Sequence, residues 1–227
     1  MNLMSEESRL PEAASDKARD VLALLDWRRR IAQMYAQVRA EADPQSAWRH
    51  RRRTRDGLFK RHPQSPLEPK QQRAFEALPF FPYVGSLRMQ VGLLPIAKPP
   101  PEIGPEIEMD LGADDTLRMR AWARTDGLKR KLGGELTVFW ISGYGGGVFL
   151  PFADPTDNHE TYGGGRYILD SIKGADLGSD GTGKLILDFN FAHNPSCCYS
   201  ARYVCPLAPA MNRLPVSVRA GEMSPGR

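Results

Sequence analysis

The chain has 227 residues, of which 41% are hydrophobic and 26% charged, and its net charge is +4. This composition is typical of a soluble globular protein, and the absence of any run of 18 apolar residues excludes a transmembrane helix. The N-terminus has acidic residues instead of the apolar segment of a signal peptide, and three cysteines do not make a disulfide framework, so we expect a cytoplasmic protein with no membrane contact.

The N-terminal third predicts a flexible segment, residues 1–15, followed by a helical arm, residues 16–79. Apolar residues recur at helical spacing as far as Ala42, and Ser15 is a candidate N-cap for this first helix. Proline at position 44 disfavours helix in the residue before it, so the first helix should end there. A second helix is predicted over residues 45–59, before an HPxSPL turn.

The positive charge is concentrated in this arm. Residues 1–70 contain 15 Lys and Arg against 10 Asp and Glu, whereas residues 71–227 contain 16 against 17. The surplus peaks in Trp48–Arg55, where clustered arginines suggest either a nucleic-acid footprint or a solvated helix surface. We favour the solvated surface, because no nucleic-acid-binding motif accompanies the cluster, and we expect no nucleic-acid partner.

From residue 80 onward the pattern changes to short alternating runs separated by glycine turns. This pattern predicts a mainly β (α+β) protein in which residues 80–222 form an antiparallel β-sandwich or barrel-like domain, packed against the helical arm. The predicted strands are 86–91, 107–111, 117–124, 135–142, 148–152, 167–169 and 184–191, with a last strand near 216–219.

The last long strand carries two polar residues opposite an apolar face. Alternation places Asp188 and Asn190 on one face and Phe189 and Phe191 on the other. The apolar face must be core, so the polar pair should face solvent or a polar cavity. There it would either contact a ligand or hold the following Asn194-Pro195 turn by backbone hydrogen bonds.

A second polar cluster follows three glycines at 163–165. Their backbone amides could form an anion-binding nest beside Arg166, or the glycines could simply permit a close approach of two segments. If Arg166 is buried it needs a carboxylate, and Asp188 and Glu160 are the candidates. We predict that Arg166 and Asp188 lie on facing strands, either as a closed ion pair or as part of a ligand pocket.

The three cysteines and His193 raise two further possibilities. The spacing H-x3-C-x7-C matches no standard zinc site, so no metal is expected. A Cys197 nucleophile with His193 as base is conceivable. The simpler interpretation is that Cys197 and Cys205 are small side chains that brace the turn between Tyr199 and Tyr203.

Three phrases in the C-terminal half carry a family resemblance. They are ETYGGGRY, ending at Tyr167; DFNFAHNPSC, ending at Cys197; and CPLAPAMNRLPVSVRAGE, ending at Glu222. They resemble DUF1684, a bacterial and archaeal family whose domain has no assigned function. The resemblance weakens the Cys–His possibility, because the family pattern usually has Tyr at the position of His193. It names no reaction.

These observations predict a protein that binds a small polar or anionic ligand in a pocket of the β domain. The predicted ligand-binding residues are Tyr162, Arg166, Asp188, Asn190 and Asn194. Hydrolase-like acid/base chemistry would use Asp188 as the base and Arg166 as its anion partner. The alternative is a non-enzymatic interaction module in which the same residues form an internal staple. Whether the chain is an enzyme stays open here, and the sequence names no cofactor and no oligomeric state.

Overall fold

The computed structural model describes residues 12–225 except for residues 100, 102, 103, 105, 113 and 114. The helical arm consists of α1 (Glu12–Ala40), α2 (Pro44–Arg61) and α3 (Pro69–Ala74). Ser15 was predicted to be the N-cap of the first helix. The helix instead begins at Glu12, so position 15 lies inside it. Of the expected flexible segment, residues 1–11 lie outside the described residues.

The break between the first two helices is made by Asp43 and the proline after it. The Asp43 carboxylate accepts hydrogen bonds from the backbone N–H groups of Gln45 and Ser46, at 3.2 and 3.0 Å. These bonds satisfy donors that have no partner inside the helix, and Pro44 at the first helical position has no N–H to satisfy.

None of the helices in the described residues combines the length and the apolar character that a membrane span requires.

In the part of the chain that the structure describes, seven strands form one antiparallel sheet in the order β6-β5-β4-β3-β1-β7, and β2 also pairs with β3. The strands are β1 (Arg88–Pro95), β2 (Ile107–Gly112), β3 (Asp115–Asp126), β4 (Thr137–Ile141), β5 (Gly147–Phe152), β6 (Arg166–Asp170) and β7 (Leu185–Asp188). A short helix, α4 (Lys129–Leu132), connects β3 to β4.

The sheet curls into a nearly closed barrel. Closure occurs where Tyr167 of β6 meets His193, which follows β7, and the two residues exchange backbone hydrogen bonds of 2.8 and 2.9 Å. The predicted antiparallel, barrel-like domain with an N-terminal helical region is therefore confirmed. The predicted last strand at 216–219 is wrong, since residue 216 lies in a bend and residues 217–219 form no strand.

The described residues form four buried apolar clusters, and the two with the most direct bearing on the site lie on either side of the barrel wall. The barrel interior is filled by side chains of the strands and their connections. A second core lies between α1, α2 and the outside of the barrel. Trp48 joins the two layers, because it packs in this second core and its Nε1 donates a 3.0 Å hydrogen bond to the Asn190 carbonyl.

The end of β7 differs from the prediction. The strand stops at Asp188, and residues 189–191 form a 3-10 turn whose Asn190 N–H donates to the Asp188 carboxylate at 3.0 Å. The turn rotates the chain, so that Phe189 enters the barrel core and Phe191 enters the core beneath the helices. Both phenylalanines are buried, as predicted, but they do not share a face.

Candidate functional site

Two arginines of α2, Arg51 and Arg55, point from the helix toward the barrel. A spacing of four residues places them on the same helical face. Only 1% of Arg51 and 9% of Arg55 is exposed to solvent. Buried cations are rarely found without an anionic partner, and here that partner is Glu222, which is fully buried in the C-terminal segment.

The Glu222 carboxylate is bound from three directions. Arg55 donates through Nε to Oε1 and through Nη2 to Oε2, the latter at 3.2 Å. The Asn194 N–H and the Tyr199 hydroxyl each donate to Oε2 at 2.9 Å. Burial alone would raise the pKa of Glu222, but the Arg55 and Arg51 charges outweigh burial and lower this pKa to about 2. The carboxylate is therefore ionised at neutral pH.

Gly221 allows Glu222 to reach this position. Its φ of +80° is in the left-handed region, and a Cβ there would lie 2.7 Å from the Ala192 carbonyl oxygen. The close approach lets the Glu222 N–H donate to the same carbonyl at 2.9 Å. A larger residue at position 221 would move the carboxylate away from the arginines.

Arg51 is less completely bonded than Arg55. Its Nε donates to the Tyr35 hydroxyl at 3.3 Å, but its Nη2 lies 4.0 Å from Glu222 Oε1, beyond hydrogen-bond length. The guanidinium carbon lies 5.9 and 5.6 Å from the ring centres of Phe80 and Phe191. The Nη1 atom is buried and has no hydrogen-bond partner among the described residues.

The segment after β7 brings two more polar side chains to the same place. Burial, followed by the charges of Arg55 and Arg51, lowers the pKa of His193 well below its usual range, so the imidazole is neutral at pH 7. Its Nδ1 atom is buried and lacks a partner within the described part of the chain.

Among the described residues, the side-chain amide of Asn194 is hydrogen-bonded through its nitrogen and not through its oxygen. Its Nδ2 donates to the Met223 carbonyl at 2.9 Å and to the Tyr199 hydroxyl at 3.3 Å. A carbonyl can only accept, so the amide nitrogen must face Met223 and the orientation of the side chain is determined. The Oδ1 atom is then left buried, with no donor from any described residue.

Arg51, His193 and Asn194 all line one cavity of about 280 Å³ between α1, α2 and the barrel. Five buried side-chain polar atoms lack a partner among the described residues, and three of them belong to these residues. Buried polar atoms are nearly always bonded, so three residues with an unbonded atom around one cavity mark this place as a candidate binding site. Much of the wall is apolar, from Trp27, Ile31, Met34, Phe59, Ala175 and Val204.

A larger groove of about 530 Å³ runs between α1 and α2, beside Asp26 and His62. Three of its polar side chains are engaged with each other: His62 Nε2 lies 3.1 Å from the Asp26 carboxylate, which also accepts from Arg30 at 2.6 Å. None of the unpartnered buried atoms found in the described residues belongs to this groove. The groove therefore lacks the feature that distinguishes the smaller cavity.

The predicted pair of Arg166 and Asp188 is not formed. Arg166 has no exposed surface, and its Nη2 donates to Asp154 Oδ2 at 2.8 Å and to the Val218 carbonyl at 2.9 Å. Its Nη1 donates to the Ala220 carbonyl. The side chain thus fastens the C-terminal segment to the barrel.

The alternation predicted that Asp188 and Asn190 face solvent or a polar cavity. This prediction is wrong, because both side chains are buried inside the protein. Asn190 Nδ2 donates to Asp188 at 2.7 Å, and the Asn190 amide pairs with the backbone of Val84 through bonds of 2.8 and 2.9 Å. Tyr83 and Arg88 approach the Asp188 carboxylate at 3.4 and 3.8 Å. Burial raises the pKa of Asp188.

Tyr162 lies beside the cysteines, with its hydroxyl 3.5 Å from Cys197 Sγ. The Cys197 N–H donates to Cys205 Sγ at 3.4 Å, and all three cysteines are free thiols. Of the five predicted ligand-binding residues, only Asn194 lines the cavity. In the described part of the chain, no group of three or more His, Cys, Asp or Glu side chains is placed to hold a metal ion.

The glycines at 163–165 serve close approach. A Cβ on Gly165, whose φ is +83°, would lie 2.6 Å from the Phe152 carbonyl oxygen, and one on Gly163 would overlap the side chain of Asn158. The Gly165 N–H is already bonded to the Tyr162 carbonyl at 3.0 Å. An anion nest would need such amides to be free.

Sequence reasoning missed the two buried arginines of the arm. The cluster around Trp48 was interpreted as a solvated surface, but Arg51 and Arg55 are buried and only other members, such as Arg49 and Arg53, are exposed. The available signal was the four-residue spacing of the two arginines on a face shared with Trp48 and Leu58.

The comparisons with known proteins agree with this architecture. The family model described as a protein of unknown function, DUF1684, matches residues 73–223. A solution NMR structure of an uncharacterized protein from Haloarcula marismortui is 27% identical, covers 79% of this chain and 93% of its own, and superposes with a TM-score of 0.52. The comparison with curated proteins gives no match.

The family match includes His193, Asn194 and Glu222, whereas Arg51 and Arg55 lie before it. The barrel, the C-terminal segment and the three motif phrases all fall within or beside the matched residues. Since the match extends over more than half of the chain, this protein belongs to the DUF1684 family.

Proposed function

We propose that this protein binds a small organic molecule in the cavity between the helical arm and the barrel. One observation carries the proposal: three buried polar atoms from separate residues, Arg51 Nη1, His193 Nδ1 and Asn194 Oδ1, have no partner in the described chain, and all three residues line one cavity. Leaving such atoms unbonded is costly, and a ligand would bond them.

Water alone is a poorer occupant of this cavity. Water molecules could bond the polar atoms, but they would also wet the side chains of Trp27, Ile31 and Phe59. Small-molecule sites combine a mainly apolar wall with a few convergent polar groups, and this cavity has that character. A molecule with a polar head and an apolar body satisfies both parts of the wall.

The bonds around Arg166 and around Asp188 favour a structural role for these two residues. The main bonds of Arg166 and Asp188 run to neighbouring protein groups, which supports the internal-staple alternative for these two side chains. Acid/base chemistry at Asp188 stays a prediction of the sequence. The ligand proposal rests on the arm and on the segment after β7, and it requires no reaction.

A fragment screen on the isotopically labelled full chain tests the proposal. Fragments of neutral, cationic and anionic classes are added while the Trp27 indole and the Asn194 amide are followed by NMR. We expect binding by at least one class to shift these signals, and Ala175→Leu, which fills the cavity, to abolish the shifts. Ala36→Leu, the same change at an exposed position of α1, should leave them unaltered.

The circular dichroism of each variant establishes that it is folded, because overpacking at position 175 costs about 1–3 kcal/mol. If fragments of every class leave the cavity signals unmoved in the folded wild-type protein, the cavity is not a binding site and the proposal is wrong.

A further inference from the structure

The charges around the cavity define the class of ligand, provided that the cavity binds one as proposed. Arg51 and Arg55 are buried cations, Glu222 is the buried anion, and His193 is neutral. Glu222 is fully engaged by Arg55, Asn194 and Tyr199, so its charge neutralises Arg55. Arg51 shares this carboxylate at 4.0 Å, so one of the two buried positive charges is left without a counterion among the described residues.

The other charged groups at the cavity do not supply that counterion. Lys173 also lines the cavity, but its side chain is 63% exposed and lies 3.8 Å from Asp170. Arg28 is exposed and adds a further positive charge at the entrance side of α1. No carboxylate other than Glu222 lies within ion-pair distance of Arg51 in the described residues.

The unbonded atoms specify the polar head more closely. Arg51 Nη1 is a donor and requires an acceptor, whereas Asn194 Oδ1 is an acceptor and requires a donor. The neutral imidazole of His193 can take either role at Nδ1. A carboxylate satisfies Arg51, and a hydroxyl beside it satisfies Asn194.

The size of the cavity limits the body of the ligand. A volume of about 280 Å³ equals that of roughly nine water molecules at ~30 Å³ each. This space accommodates a single ring with a few substituents. Aromatic rings from Trp27 and Phe59 supply flat apolar surface for such a ring.

We infer that the ligand is a small hydroxycarboxylate with one negative charge and an apolar, ring-sized body. Arg51 holds the carboxylate, Asn194 accepts from the hydroxyl, and the aromatic side chains of the arm cover the ring. Arg51 acts here as a binding residue, and no bond is made or broken.

Titration calorimetry on the full chain tests this inference with four probes of similar shape. Benzoate carries one negative charge, benzamide is its neutral counterpart, benzylamine is a cation, and phenyl phosphate represents a dianionic phosphate. We expect benzoate to bind at least ten-fold more tightly than benzamide or benzylamine. We also expect one of the three monohydroxybenzoates to bind more tightly than benzoate itself.

Variants of Arg51 test whether this residue causes the preference for benzoate over benzamide. Arg51→Met keeps an unbranched apolar stem of the side chain and removes the charged guanidinium, so the affinity ratio of benzoate to benzamide should fall to about one. Arg53→Met, a matched change at an exposed position of α2, should leave the ratio unchanged. Arg51→Lys, which retains the charge, should keep most of the preference and provides a second variant if Arg51→Met does not fold.

The outcomes separate this inference from the proposed function. Binding of benzamide or benzylamine in preference to benzoate overturns the anionic class but leaves the cavity as a binding site. Tighter binding of phenyl phosphate than of benzoate overturns the inference that the ligand carries a single negative charge. Failure of every probe, together with an unresponsive fragment screen, overturns both.

Discussion

Glu222→Gln is the substitution whose effect the structure defines best. Arg55 and Arg51 lower the pKa of Glu222 from 4.5 to about 2 despite complete burial. Because the folded pKa lies below the unfolded one, the ionised carboxylate contributes stability that is present above pH 4.5 and is lost as the pH falls toward 2. At about 1.4 kcal/mol per pH unit, this contribution is about 3 kcal/mol at pH 7, of which about 2 kcal/mol is lost by pH 3.

The glutamine keeps the shape of the side chain but removes its charge and leaves the buried Arg55 without an anion. We therefore expect a loss of about 3–5 kcal/mol in the free energy of unfolding at pH 7. The difference between wild type and variant should shrink by about 2 kcal/mol at pH 3, where part of the wild-type advantage has been lost.

Urea unfolding followed by circular dichroism at pH 7, 5 and 3 measures this difference. Burial raises the pKa of Asp170 and Asp188, whose contributions to the pH dependence have the opposite sign but are common to both proteins and cancel. Glu76→Gln, at an exposed position, is the control and should match wild type at each pH. A difference that stays constant from pH 7 to pH 3 would refute the pairing of Glu222 with the arginines.

Three further predictions follow from packing and chemistry. Phe189→Ala should cost about 3–5 kcal/mol in urea unfolding, because it empties a fully buried site beside Phe152; an unchanged midpoint would contradict that packing. Asp154→Ala should destabilise by about 3–5 kcal/mol, since it leaves Arg166 as an unpaired buried charge, and a neutral effect in the same assay would argue against the ion pair. Treatment with a metal chelator should leave the melting temperature unaltered, whereas stoichiometric zinc lost together with the fold would overturn the expectation that no structural metal is present.

Local pattern in the sequence was enough to predict the barrel strands and the first two helices. Burial alternates along β3, where Met119, Ala121 and Ala123 are buried and Arg118, Arg120 and Arg124 are exposed, because neighbouring side chains of a strand point to opposite faces. The apolar stripe predicted for α1 is buried at Met34 and Val38, whereas its first members, Val21, Leu24 and Leu25, are exposed. Such patterns depend only on the geometry of one element, so they can be read without knowledge of its neighbours.

Alternation failed at Asp188 and Asn190 because a second layer covers the face that a single sheet would expose. Trp48 packs over this segment, and the polar side chains find their partners in Val84, Tyr83 and each other. A polar residue can be buried wherever such partners are supplied, and the period of the strand contains no information about them.

The candidate site was decided by tertiary structure for the same reason. Arg55 and Glu222 are separated by 167 residues, and the only local difference between Arg55 and its exposed neighbours is the helical face that it shares with Trp48 and Leu58. Its burial requires an anion, and that anion arrives only when Gly221 lets the C-terminal segment approach the barrel wall. The sequence by itself determined which segments become strands and helices, whereas long-range charge pairing decided which arginines leave the solvent and where the cavity forms.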